Sequence, residues 1–242
     1  MTRRLAAWLV AACIAALPSR APAHDLIDAQ GAERYLLRIE REQDVLHSKA
    51  SPTARAQASV ALGSTLDEIR DLLNRDIASH GQPQGLPTLF LIQSLRSRGL
   101  ALEISPALGC YPANLGFYRS ALRLDPDGPG AGEARLRLLQ GHFYDSFGQD
   151  PLQPRDQSWA MLQEQIRHAE ILLRASPAEP NREEVLFILA VHHLQAARAA
   201  PDAGARGVHA KQARETIAQF RSRYPDSLRV AALDVLGEGL AR

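Results

Sequence analysis

This 242-residue sequence has few cysteines, few aromatic residues and almost no net charge. Its two cysteines cannot form the disulfide framework that stabilises many small secreted domains. A formal net charge of +1 lacks the basic excess that phosphate backbones require, so we expect no nucleic-acid partner. The chain is nevertheless long enough to bury a sizeable core, as one domain or two small ones.

Catalytic, metal-binding and cofactor-binding motifs are also missing. The sequence contains no Gly-x-Ser-x-Gly elbow, phosphate-binding glycine loop or dinucleotide fingerprint. Its histidines have neither the His-Glu-x-x-His pattern nor a Cys/His ligand spacing. His142 and His192 fall near apolar helical stripes, which favours positions in a core or groove. We therefore expect no enzyme activity, no metal site and no cofactor.

The first 23 residues have the pattern of a cleaved signal peptide. Arg3 and Arg4 precede an apolar run over residues 5–17, and Ala21-Pro22-Ala23 supplies the small-x-small cleavage pattern. The run is shorter than the roughly 20 residues that a membrane-spanning helix needs, and no later stretch is more apolar. We expect cleavage after Ala23, a mature chain that begins at His24, and a periplasmic or secreted protein.

Cys13 is an alternative first residue of the mature chain. Val10-Ala11-Ala12-Cys13 resembles a lipoprotein cleavage box, which predicts an outer-membrane lipoprotein anchored at Cys13. The apolar residues 14–17 stand where a polar tether is expected, so we favour cleavage after Ala23. Cys110 is then the single cysteine, either buried or able to cross-link to a partner, and burial is favoured.

Apolar residues recur at helical spacing along nearly the whole chain, which predicts an all-α fold. Ser51-Pro52 has the cap-then-proline pattern of a helix start, and the helix that follows is expected to stop near His80-Gly81. The segment from Leu100 to Pro112 is predicted to be a linker or a helix continuation. Near the carboxyl end, one apolar stripe is predicted over Leu228, Ala231, Val235 and Leu236.

An internal repeat joins three helical pairs around Pro126, Pro177 and Pro225. Equivalent positions eight and five residues before each proline, and eight residues after it, are mostly apolar. They are Tyr118, Ala121 and Ala134 in the first copy, Ala169, Leu172 and Val185 in the second, and Ile217, Phe220 and Leu233 in the third. Each pair has an apolar face that it cannot cover alone, so we expect the pairs to stack.

The third copy, with Phe220, Tyr224-Pro225-Asp226-Ser227 and Leu236-Gly237, resembles the junction of tetratricopeptide-type repeats in bacterial envelope proteins. The spacing near 50 residues, where that family has 34, and the missing Trp-x-x-Leu-Gly start make the units degenerate. The resemblance implies antiparallel helical hairpins stacked as a short α-solenoid over residues 106–242. Residues 24–105 then form a separate N-terminal helical region.

We expect such an array to bind a protein or peptide of the cell envelope on its inner face, as an adaptor or scaffold. An envelope enzyme with an unrecognised site and a small-ligand or metal carrier are the alternatives. Polar residues beside the core stripe of the first helix in each pair could bind carboxylates, although a solvated helix face is the slightly favoured explanation. These candidate binding residues are Arg119, Arg123, Gln163, Arg167, Arg214 and Arg221.

Overall fold

A computed structural model describes residues 27–147, 157–175 and 181–238, with the side chains of residues 146 and 147 left out. Most of the described residues are helical and none of them forms a β-strand, so the all-α prediction is confirmed. The predicted signal peptide, Cys13, His24 and Pro177 lie outside the described residues. The helices are α1 (Ala29–His47), α2 (Pro52–His80), α3 (Leu86–Ser97), α4 (Gly116–Leu124), α5 (Ala131–Phe147), α6 (Trp159–Arg174), α7 (Asn181–Ala199), α8 (Ala203–Arg223) and α9 (Arg229–Gly237).

Short polar side chains begin several of these helices. Ser51 Oγ accepts a hydrogen bond from the backbone N–H of Ala54 at 3.2 Å, with Pro52 as the first helical residue. Asp202 Oδ1 accepts from the backbone N–H of Ala205 at 2.8 Å and begins α8 in the same way. At the other end of α2, Gly81 adopts φ 79°, a left-handed conformation that glycine adopts without strain. The predicted ends of α2 are thus confirmed.

The segment from Leu100 to Pro112 is a linker and does not continue the helix before it. A single bridge joins Ser105 to Cys110, whose carbonyl accepts from the Ser105 N–H at 2.9 Å. Asn74 holds the linker to α2 by donating to the Tyr111 carbonyl at 2.9 Å and accepting from its N–H at 2.8 Å. Cys110 is half-buried rather than buried.

Residues 20–141 form one compact unit, here the N-terminal unit, described from residue 27. Helix α1 packs on α2 and α3, and α4 also packs on α2. The apolar stripe of α2 is buried at Leu62, Leu66, Ile69 and Leu73, which are inaccessible to solvent, and half-buried at Ile77. The central helix of this unit is therefore α2.

The described residues from 142 onward form a second compact unit, here the C-terminal unit. Helix α7 packs on α6, α8 and α9, and eleven of its residues are buried. The division falls within α5, whereas the repeat resemblance begins near residue 106. No helix within the described residues combines the length and apolar composition of a membrane span.

All nine of the predicted repeat positions are buried. The helices that flank the three prolines are α4 with α5, α6 with α7, and α8 with α9. The stripe predicted over the last helix is wrong in phase, because Leu228 and Val235 are exposed while Ala232 and Leu233 are buried. Helix α9 begins only at Arg229, and its contacts with α7 and α8 select the face that carries Leu233.

Candidate functional site

The C-terminal unit contains an open cleft of about 570 Å³ whose lining comes from α6 and α8. Its polar lining residues are Gln163, Glu164, Arg167, Glu170, His209 and Gln212, and its apolar lining comes from Ala160, Ile166 and Val208. Most of the surface that a ligand would meet therefore carries hydrogen-bonding groups.

Helical spacing explains why these side chains meet. Gln163, Arg167 and Glu170 follow each other at intervals of four and three residues, so they share one flank of α6. The neighbouring stripe of Leu162, Ile166 and Ala169 is buried and fixes the rotation of the helix. The core stripe thus directs this polar flank toward α8.

A chain of hydrogen bonds leads from the cleft into the core. Nε2 of Gln163 lies 3.1 Å from Nε2 of His209, and Nδ1 of His209 lies 3.1 Å from Nδ1 of His193 on α7. If the Gln163 amide donates to His209, the His209 ring carries its proton on Nδ1 and donates it to Nδ1 of His193. His209 must be neutral for this chain to form because its Nε2 accepts from Gln163, and His193 must be neutral because its Nδ1 accepts from His209.

Burial keeps these rings neutral. It lowers the pKa of His193 to about 4, with further lowering by the nearby His209 and His192. Burial also lowers the pKa of His209, against the opposing charge of Glu170. The Trp159 and His209 rings pack nearly perpendicular to each other, with ring centres 5.2 Å apart. The hydrogen-bond chain is therefore intact near pH 7 and held in place by an aromatic neighbour.

Gln212 contributes an acceptor to the same cleft. Its Oε1 is buried and has no hydrogen-bond partner among the described residues. A buried amide oxygen without a donor loses the free energy of hydration.

The structure divides the six predicted binding residues. Gln163 and Arg167 line the cleft, and Arg167 is exposed. Arg214 and Arg221 are exposed on the side of α8 that points away from the cleft, and Arg221 is paired with Asp234. Arg119 and Arg123 are exposed on α4 in the N-terminal unit.

His209, Glu170 and Gln212 were missed as cleft residues. A signal for His209 was present, because it precedes Ala213 by four residues and so lies on the buried stripe of α8. His192 is buried, as the core interpretation of the histidines expects, whereas His142 is half-buried. Within the described ranges, no group of three or more His, Cys, Asp or Glu side chains has the arrangement of a metal site.

Comparison with known proteins identifies no relative of this chain. No protein-family model, no curated protein sequence and no solved structure matches it.

Proposed function

We propose that this chain is an exported, non-catalytic interaction module of the bacterial cell envelope, which holds an extended peptide segment of a partner protein between α6 and α8. The observation that carries the proposal is the cleft itself. It presents an exposed guanidinium on Arg167 beside side-chain amides on Gln163 and Gln212. Amides can pair with the N–H and C=O groups of a peptide backbone, as no purely apolar groove can.

The charges in the cleft favour a segment with both signs of charge. Arg167 supplies one positive group, and Glu164 and Glu170 supply two negative ones. The Arg167 guanidinium can pair with a carboxylate of the segment, and Glu164 or Glu170 can pair with a basic side chain. The cleft is therefore of mixed charge, whereas the candidate binding residues taken from the sequence include arginines and no acidic residue.

The N-terminal sequence and the paired helices support the other parts of the proposal. The basic start, the apolar run and Ala21-Pro22-Ala23 favour export through the cytoplasmic membrane. Paired helices stacked as a tetratricopeptide-like solenoid would present α6 and α8, the first helices of the second and third pairs, on one inner face. The second and third pairs support that stacking, because α7 of one packs on α8 and α9 of the other and their repeat positions are buried.

Site-specific photo-crosslinking in cells tests the proposal directly. A photoreactive residue replaces Val208, which is exposed within the cleft, or Arg214, which is exposed on the opposite side of α8. We expect one dominant envelope protein to crosslink from position 208 and not from position 214. Equal products from both positions would contradict the assignment of the cleft.

A substitution pair measures the contribution of the guanidinium. We expect Arg167→Ala to weaken capture of that protein about tenfold, because a charge-assisted hydrogen bond contributes at least about 1.4 kcal/mol. Arg214→Ala removes the same charge from the outer side of α8 and should leave capture unchanged. Unaltered capture by a folded Arg167→Ala variant would refute the role of Arg167.

Acid–base catalysis is a second candidate function for the same cleft. Its support is His209, a neutral imidazole of lowered pKa that could accept a proton from a bound substrate. A panel of chromogenic esters and phosphodiesters tests this candidate. Turnover by the wild type that His209→Gln abolishes would favour catalysis over the interaction module.

A further inference from the structure

A second, smaller pocket of about 260 Å³ lies in the N-terminal unit, where the end of α1, the first turns of α2 and helix α4 meet. Its lining includes two arginines, Arg55 on α2 and Arg123 on α4, and two serines, Ser59 and Ser120. Leu46, Phe117 and Leu124 supply its apolar wall. Polar and apolar groups are thus both available to one small ligand.

The pocket is cationic. No residue lining it in the described part of the chain is acidic. The carboxylate closest in sequence, Asp125, already accepts a hydrogen bond from Thr53 Oγ1 at 2.6 Å. Two guanidinium groups consequently share one cavity with no carboxylate on its walls, which raises the local concentration of anions.

Arg55, which lines this pocket, has a hydrogen-bond donor without an acceptor among the described residues. Its Nε is buried and has no hydrogen-bond partner among the residues that the structure describes. A buried N–H of a charged group without an acceptor opposes folding, and such groups are rare unless a ligand or a function accounts for them. Arg123, in contrast, is exposed and donates to Ser120 Oγ at 2.9 Å, which directs its side chain along the pocket wall.

The apolar wall is fixed by its own contacts. Ser59 Oγ donates to the backbone carbonyl of Phe117 at 2.8 Å and so ties α2 to α4 beside the pocket. The Phe117 ring also packs against the main core cluster of the unit. A ligand in the pocket would therefore meet a preformed surface, which lowers the entropic cost of binding.

We propose that this pocket binds a compact organic carboxylate, whose anionic head pairs with Arg55 and Arg123 and whose apolar part lies against Leu46, Phe117 and Leu124. Guanidinium groups suit this head because they can bind both carboxylate oxygens at once. The pocket belongs to the N-terminal unit and shares no residue with the cleft of the C-terminal unit. The proposal is therefore independent of the proposed function.

Isothermal titration of the mature chain with 3-phenylpropanoate tests it, with 3-phenylpropanol as the uncharged match. We expect the acid to bind and the alcohol to bind at least about tenfold more weakly, because the alcohol lacks the charged head. Absence of binding by the acid at millimolar concentration, or equal binding of acid and alcohol, would overturn the proposal.

Three variants assign the binding to the two arginines. Arg123→Gln and Arg55→Met should each weaken binding about tenfold or more, while Arg119→Gln, one helical turn from Arg123 and outside the lining, should not. Arg55→Met also removes the buried unsatisfied donor, so we expect its melting temperature to equal or exceed that of the wild type. A variant that binds less while melting no earlier separates loss of the site from loss of the fold. Unchanged affinity in folded Arg55→Met would overturn the assignment.

The ligand could be a free acid or the carboxyl-terminal residue of a peptide. A short acetylated peptide that ends in phenylalanine, with a free or an amidated carboxyl end, distinguishes these sources. Tighter binding of the free-ended peptide than of 3-phenylpropanoate assigns the pocket to chain ends. Weaker binding of that peptide assigns the pocket to small acids.

Discussion

The N-terminal unit buries a carboxylate, whereas the C-terminal unit buries imidazoles. Asp67 on α2 accepts a hydrogen bond from Tyr118 at 2.6 Å and pairs with Arg70 at 2.8 Å, so its polar atoms have partners. His192 and His193 on α7 are equally buried, but they are held in their neutral form. The N-terminal unit thus pairs its buried Asp67 carboxylate with Arg70, whereas the buried imidazoles of the C-terminal unit carry no charge.

This difference gives the two units opposite responses to acid. Burial lowers the pKa of His192 and His193 to about 4, so the folded C-terminal unit resists protonation. Burial raises the pKa of Asp67, despite the opposing effects of Arg70 and Tyr118, so the folded N-terminal unit accepts a proton more readily than the unfolded chain. Acid should therefore destabilise the C-terminal unit and spare the N-terminal one.

Lowering the pH from 7 to 5 should produce the largest effect. An unfolded imidazole takes up a proton near pH 6.5 and these folded ones near pH 4, so stability present above pH 6.5 is lost as the pH falls toward 4. We expect a loss of about 2 kcal/mol for each of the two histidines at pH 5. Hydrogen exchange read by mass spectrometry at both pH values measures it in peptides from α7 and α8.

The N-terminal unit is the internal control for this exchange measurement. Peptides from α2 and α4 should keep their protection from exchange at pH 5, since Asp67 favours the folded state in acid. His192→Leu, which replaces one buried imidazole with an apolar side chain, should remove about half of the pH dependence. Equal losses of protection in both units would contradict the contrast between them.

Asp67→Ala should have the next largest effect, in the N-terminal unit. It leaves the buried Tyr118 hydroxyl without its acceptor and Arg70 without one of its two carboxylates. We expect a loss of about 3 kcal/mol in the free energy of unfolding, measured by urea denaturation. Asp71→Ala is the matched control, because Asp71 also pairs with Arg70 but is mostly exposed, and it should cost less than about 1 kcal/mol. Similar losses from the two variants would show that burial of Asp67 is unimportant.

Glycine substitutions should give the smallest effect, with opposite signs in the two units. A Cβ at Gly63 would lie 2.9 Å from Cζ of the buried Tyr118 ring, so Gly63→Ala should destabilise the N-terminal unit by about 1 kcal/mol. A Cβ at Gly207 in α8 would meet nothing within 4 Å, so Gly207→Ala should stabilise the C-terminal unit by up to about 1 kcal/mol. Thermal unfolding of both variants measures the difference, and a shift of the same sign in each would contradict the packing argument.

Periodicity was sufficient to predict most of the fold. The α2 stripe from Leu62 to Leu73 is buried, and the repeat positions around each proline are buried as well. The α9 stripe failed because Leu228 precedes the helix, and a short helix with apolar residues on several sides has no single preferred face. Whether the pairs stack as a solenoid stays a prediction.

Less of the candidate sites could be predicted. Gln163 and Arg167 were found because they flank a clear core stripe, but Arg214 was assigned to the same surface although it lies on the other side of α8. Arg55 was missed although it precedes Leu62 by seven residues and so lies on the core face of α2. A charged or polar residue on an apolar stripe is the signal that would have found both Arg55 and His209.

The sequence by itself determined that the chain is helical, where α2 begins and ends, and which positions of the repeated pairs face a core. These properties depend on local spacing, capping and glycine conformation, which act within a few residues. Only the tertiary structure decided that His209 contacts Gln163 and His193, or that Arg55 and Arg123 share one pocket. Those pairs are separated by 16 to 68 residues in the sequence. Their meeting depends on how the helices pack, which periodicity within one helix does not specify.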